Sequence, residues 1–105
     1  MPYFLDNIAT ILYSAFVSWA VYVSKKAAKR SGKLPRPVLD LFEALLLDLS
    51  KIGPVQHEWP NYSKLTHGRY HCHLNYSFVA VWEVTDSKIQ ILEVTYVGSR
   101  EDAPY

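Results

Sequence analysis

Residues 38–52 carry an apolar stripe that only a helix can gather onto one side. Val38, Leu41, Phe42, Leu45, Leu49 and Ile52 recur at the i, i+3, i+4, i+7 spacing. Leu46 and Leu47 widen the stripe, and Asp40, Glu43, Ser50 and Lys51 fall outside it. Pro37 suits the first helical position, and Gly53-Pro54 stops the helix. Such a helix must lay its stripe on another element.

The partner is a sheet built further along the chain. Residues 69–75 alternate strictly, with Arg69, His71 and His73 on one side and Tyr70, Cys72 and Leu74 on the other. Residues 78–84 and 88–97 read as two more strands, joined tightly by Thr85-Asp86-Ser87 into a hairpin. Upstream, residues 18–23 alternate around Trp19, Val21 and Val23 and read as a strand. Ser24 is a fair N-cap for a short helix ended by Gly32, and residues 33–37 form a turn. Ile8, Ile11, Leu12, Ala15 and Phe16 make one face of a further helix over residues 6–16. The order predicts an α+β fold. Its helices should bury the face carrying Tyr70, Cys72 and Leu74, because Arg and His occupy the other.

A chain of 105 residues is one domain, and half of it is hydrophobic, which fits a packed core rather than disorder. The net charge of +1 argues against broad affinity for phosphate backbones. The charge is uneven, however: Lys25, Lys26, Lys29, Arg30, Lys33 and Arg36 form a basic stretch. That stretch reads first as a solvated helix face. A single cysteine, Cys72, permits no internal disulfide and fits a reducing cytoplasm. Residues 3–23 are apolar enough to suggest a membrane span, but Asp6 and Asn7 interrupt them. No Lys or Arg precedes them, as a signal peptide would require. No membrane association is therefore expected.

All four histidines fall between residues 57 and 73. A strand that projects Arg69, His71 and His73 from one face offers two acid–base groups and a phosphate-binding fork. RNA cleavage needs that set: a base for the ribose 2′-OH, cations for the phosphorane-like transition state, and an acid for the leaving oxygen. His57 and His67 read as solvated loop residues, Trp59 and Tyr62 as anchors of the connector, and Cys72 as a buried small hydrophobe. His67 with His71 and His73 also has permissive zinc spacing, but no Cys pair or HExxH helix supports it. No metal and no cofactor is assigned.

From Trp19 onward the chain resembles the RelE/ParE superfamily of toxins from type II toxin–antitoxin pairs. The opening strand WAVYVSKKAAK, the Leu-Pro turn and the long helix are similar to that family's start. NYSKLTHGRYHCHL followed by FVAVWEV is similar to its central strand pair, and YVGSREDAPY to its closing strand and Gly-x-Arg tail. GPVQHEWPNYSKL and VGSREDAPY look closest to the cytotoxic translational repressors related to RelE and HigB.

The resemblance implies a twisted antiparallel sheet of about four strands with two helices on one face. Residues 1–17 would be an extra, helical N-terminal extension, and residues 18–105 the toxin domain. It also implies metal-independent cleavage of messenger RNA, on the ribosome, in the cytoplasm, under control of a cognate antitoxin, a small helix-turn-helix protein. The alternative is the non-enzymatic, ParE-like branch, which binds DNA gyrase or another protein target without cleaving RNA. On this reading His71, His73 and Arg69 are catalytic, the two histidines standing where RelE relatives carry lysines. Lys64, Arg100, Tyr96 and Tyr105 would contact RNA. The family's arginine before the aromatic strand position falls on Val79 here, so Arg69 or Arg100 must hold the phosphate.

Overall fold

The computed structural model describes residues 18–105. The helix expected over residues 6–16, and the extension to which it belongs, lie outside the described residues. The order is β1 (Ala20–Val23), α1 (Lys25–Ser31), α2 (Arg36–Ile52), β2 (Ser63–Lys64), β3 (Arg69–His73), β4 (Phe78–Asp86), β5 (Ile91–Ser99) and a 3-10 turn (Arg100–Asp102). The strands form a five-stranded sheet in the order β1-β5-β4-β3-β2.

Two sheet features depart from expectation. The sheet is mixed, because β1 runs parallel to β5, Ala20 beside Ile91 and Val23 beside Val94. Both helices lie between β1 and the rest of the sheet in sequence, and a crossover of that length lets two strands run parallel. The fifth strand, β2, is two residues inside the connector, too short to leave an alternating pattern. Together β2–β5 form an antiparallel meander.

The helix stripe is buried as its spacing predicts, at Val38, Phe42, Leu45 and Leu49. Ile52, at the end of the stripe, is 63% exposed instead. The main core joins these residues to Val21, Ala27, Tyr70, Cys72, Leu74, Ala80, Trp82, Leu92, Val94 and Val97. Tyr70, Cys72 and Leu74 thus face the helices. Ser24 caps α1, its hydroxyl accepting from Ala27 N–H at 3.1 Å. The helix α2 begins one residue before Pro37, with Pro35 in the capping position.

The β4–β5 turn lies further on than the sequence suggested. The strand β4 runs to Asp86, whose carboxylate accepts from the Lys88 and Ile89 N–H groups at 2.9 and 3.1 Å. That local bonding draws Lys88 and Ile89 out of the ladder, and β5 starts only at Ile91, after left-handed Gln90 (φ 57°).

Gly53 ends α2 at φ 100° and ψ −162°, a conformation essentially restricted to glycine. A Cβ there would also lie 2.5 Å from the Trp19 indole nitrogen. Gly53→Ala is expected to cost about 1–3 kcal/mol for the backbone alone, read as a lower midpoint in urea. An unchanged midpoint would show that the junction relaxes freely.

The connector after Gly53 is tied down at several points. Buried Gln56 donates to the Asp48 and Gly53 carbonyls at 3.1 and 2.8 Å. The Trp59 indole N–H donates to the Asp48 carboxylate at 2.9 Å. Tyr62 stacks on Tyr70 and Trp82, each at 6.3 Å between ring centroids. The connector therefore delivers Ser63 to the sheet edge at a fixed register. Among the described residues, no helix is long and apolar enough to cross a membrane.

Candidate active site

The sheet face turned away from the helices carries a second, smaller apolar cluster of Val79, Val81 and Tyr96, with Leu65 and Ala103 packed against it. Ladder partners share a face, so cross-strand rows define what stands on this floor. One row runs Ser63, His71, Val81, Tyr96. On one side of it lies His73, Val79, Gly98; on the other, Arg69, Glu83, Glu93.

The tail folds back over the floor. Arg100 N–H donates to the Ser77 carbonyl at 2.8 Å, pinning the 3-10 turn to the β3–β4 turn. An Arg69 guanidinium N–H donates to the Pro104 carbonyl at 3.2 Å. These ties bring the Tyr105 ring to 4.5 Å from the His71 ring, tilted by 55°. The His73 ring stands 5.8 Å from His71, nearly edge-on. The Ser63 hydroxyl lies 3.0 Å from His71 Nδ1. Alternation on β3 did not foresee the burial of His71, only 9% exposed beneath Tyr105 and beside β2.

That setting determines protonation. Burial lowers the His71 pKa below its ordinary 6.5, and neighbouring His73 adds to the effect, while a hydrogen bond to the Ser63 backbone opposes both. His71 is therefore a neutral imidazole at pH 7. Burial raises the Tyr105 phenol, with Arg100 partly offsetting it, so Tyr105 keeps its proton. Burial pushes the Cys72 thiol up to about 12, and its side chain faces the core. A buried thiol of that kind is no nucleophile.

The structure brings together His71, His73, Arg69, Arg100 and Tyr105. Arg69 is tied to the tail through the Pro104 carbonyl. Arg100 lies 4.7 Å over the exposed Tyr76 ring. Lys64 stands elsewhere: it pairs with Tyr70, its ammonium 5.9 Å over that ring, on the helix-facing side. Tyr96 offers no free ring face, being 4% exposed, under the Arg30 guanidinium at 5.0 Å and donating its hydroxyl to the Ser99 carbonyl at 2.8 Å. Its ring also fills the space over Gly98, where a Cβ would meet the Tyr96 hydroxyl at 2.8 Å. Val79 is fully buried beside His73, its partner across β3 and β4. His57 and His67 are exposed in the connector, and among the described residues no three His, Cys, Asp or Glu side chains converge as a metal site requires.

Sequence reasoning missed Ser63, Tyr76 and the Glu83–Glu93 pair. Ser63 depends on a two-residue strand, and Tyr76 on the fold-back of the tail. The carboxylates depend on strand register. Burial, then Glu83 opposite, raises the Glu93 carboxyl. A carboxyl held above its unfolded value binds more protons folded than unfolded, so it costs stability once pH rises through the unfolded value. Glu93→Gln is expected to raise Tm at pH 7, with no gain near pH 4, where both states are largely protonated. Equal gains at both pH values would mean that the carboxylate charge is not the cause.

A mixed sheet with two helices on one face and a tail crossing the other is the RelE-like fold. No family model matches the sequence, and no curated protein does. The structural likeness is close: RelE from the archaeal RelE–RelB complex of Pyrococcus horikoshii superposes with a TM-score of 0.68 at 21% identity, over 82% of this chain and 99% of that one. The isolated RelE toxin of E. coli gives 0.61 at 20% identity, over 80% of this chain and 86% of that one. YoeB of Staphylococcus aureus gives 0.60 at 15% identity, over 75% and 93%.

Proposed function

We propose that this chain is the toxin of a toxin–antitoxin pair and that it stops translation by cutting messenger RNA. The observation that carries the reading is the buried His71, set among Ser63, His73 and Tyr105. With Nδ1–H donating to Ser63, the Nε2 lone pair is free to take the ribose 2′-OH proton. The 2′-oxygen then bonds to phosphorus and the P–O5′ bond breaks, leaving a cyclic phosphate. Tyr105, which keeps its proton, or His73 supplies a proton to the departing 5′-oxygen. Arg100, whose charge already acts on Tyr105, would supply the cation for the phosphate oxygens that Val79 does not. Since the nucleophile belongs to the substrate, this chemistry calls for no metal.

The fold supports the assignment, as does the nature of its neighbours, several of which are toxin–antitoxin complexes. A cognate antitoxin, a small helix-turn-helix protein, would cover this face. The target would be mRNA in the ribosome, in the cytoplasm. The test is expression without an antitoxin, followed by mapping of transcript ends and plasmid supercoiling. New transcript ends and falling translation before any supercoiling change are expected. Lost supercoiling with intact transcripts would overturn the reading in favour of a gyrase-binding toxin.

A further inference from the structure

Beside the His face lies a surface cleft of about 460 Å³, lined by Lys26, Lys29, Arg30, Lys33, Leu34, Phe78, Gly98 and Ser99. Four of these are cations and none is a carboxylate. The ion pair found among the described residues, Arg36 with Asp40, involves none of the four. We propose that this cleft is a second phosphate subsite, which holds the RNA backbone a few nucleotides from the scissile bond. The proposal rests on the RNA-cleavage reading of the His71 centre.

The sequence places the cations at i, i+3, i+4 and i+7, so α1 and the turn after it gather them on one side. Like charges at these spacings repel. The helix dipole accounts for Lys29 and Arg30 in the last turn, but not for Lys26 near the start, where no acidic residue accompanies it. A chain with a net charge of only +1 has concentrated its cations at this spot. A bound polyanion relieves their repulsion.

The fold connects the cleft to the chemistry. After Val94, β5 no longer pairs with β1, and α1 packs against β5. The row His73, Val79, Gly98 leads from the active face to the cleft wall, two strand spacings of roughly 4.8 Å each. Arg30 spans the junction by lying over Tyr96. At the other end of the face stand Glu83 and Glu93. A phosphate backbone is repelled there and drawn toward Arg100 and the cleft, which gives the strand one direction of travel. This gradient along the catalytic face favours a nucleic-acid strand over an acidic peptide.

The experiment uses the full chain and a Lys26→Gln/Lys29→Gln/Lys33→Gln variant, leaving Arg30 on Tyr96 intact. All three lysines are exposed, and thermal unfolding checks that the fold is kept. The probes are fluorescent 2′-O-methyl RNA oligonucleotides of about three and about twelve nucleotides, which bind without reacting and bracket the length of a single-strand track. Anisotropy is read across a salt series without ribosomes. The variant is expected to lose on the order of ten-fold in affinity for the long probe, and its salt slope to fall by about 0.7 per lost contact. Affinity for the short probe stays the same. Equal loss on both probes, or none on either, overturns the subsite. So does normal binding of the long probe with reduced capture by ribosomes, which would assign the cations to ribosomal RNA. If the length-dependent loss is seen but the parent cuts no RNA, the cleavage reading fails and with it the register to a scissile bond, and the cleft stands only as an RNA-backbone site.

Discussion

A His71→Ala variant is expected to cut RNA on the order of a hundred- to ten-thousand-fold more slowly than the parent, the usual effect of removing a general base. The fold should survive, because His71 lies outside the main core and its neighbours Ser63 and Tyr105 are exposed enough to be rehydrated. The pH profile identifies the group. A base works when unprotonated, so the rate should rise with pH through a value below the ordinary 6.5 of histidine. The neighbours shift that limb in opposite directions. His73 lowers the His71 pKa, so a neutral His73→Gln should move the limb to higher pH in the activity that remains. A hydrogen bond to the Ser63 backbone raises it, and Ser63→Ala keeps that backbone, so the limb should stay in place in Ser63→Ala. The measurements are RNA-end formation by each purified variant, with ribosomes supplied, over a pH series beside its unfolding curve. A folded His71→Ala protein that cuts like the parent would remove His71 from the mechanism and leave Arg100 and Tyr105 as the groups to examine.

How far the sequence could lead depended on the range of the interaction. The helix stripe and the alternation of β3 are local patterns, and both predicted the correct faces, down to Tyr70, Cys72 and Leu74 meeting Phe42, Leu45 and Leu49. The Ser24 cap was legible for the same reason. Strand partners were not, because the parallel pairing of β1 with β5 joins residues some seventy positions apart and has no local signature. The hairpin was placed too early because Asp86 looked like a turn residue, when it closes the ladder and then bonds the turn itself. At the site, β3 alone put Arg69, His71 and His73 on one face. What each does there was set by β2 and by the tail. Ser63 engages one His71 nitrogen and Tyr105 covers the ring. Pro104 takes up an Arg69 donor that sequence reasoning had offered to a phosphate. Lys64 illustrates the same limit: one residue of register on a two-residue strand decides which face it serves.

The largest effect on stability is expected at Trp82. Its side chain is fully buried between the sheet and the helices. Its ring lies nearly parallel to Tyr70, 6.3 Å away, with Tyr62 at the same distance. The β4–β5 register shifts between Val81 and Trp82, leaving Thr95 as the extra residue between Val94 and Tyr96. Its indole N–H donates to the Pro54 carbonyl at 3.0 Å, so one side chain fixes the sheet, the aromatic ladder and the start of the connector. Trp82→Ala should cost about 3–5 kcal/mol, from lost burial plus the cavity left in a core that cannot close around it. A domain of this size has roughly 5–15 kcal/mol in total, so the variant sits close to unfolding. Trp82→Phe keeps most of the apolar volume and loses the hydrogen bond, a change of about 1 kcal/mol from the bond alone with a further penalty for the smaller ring. The connector that Trp82 anchors ends at Ser63, so a looser connector should weaken the hydrogen bond to His71 and move the acid limb of cleavage downward in Trp82→Phe. Urea unfolding of both variants, with the pH profile of the Phe form, separates these effects. A loss below about 1.5 kcal/mol for Trp82→Ala would be too small for a cavity of that size, and would mean that the core is centred elsewhere. An unshifted limb in Trp82→Phe would mean that the connector holds Ser63 without help from the indole.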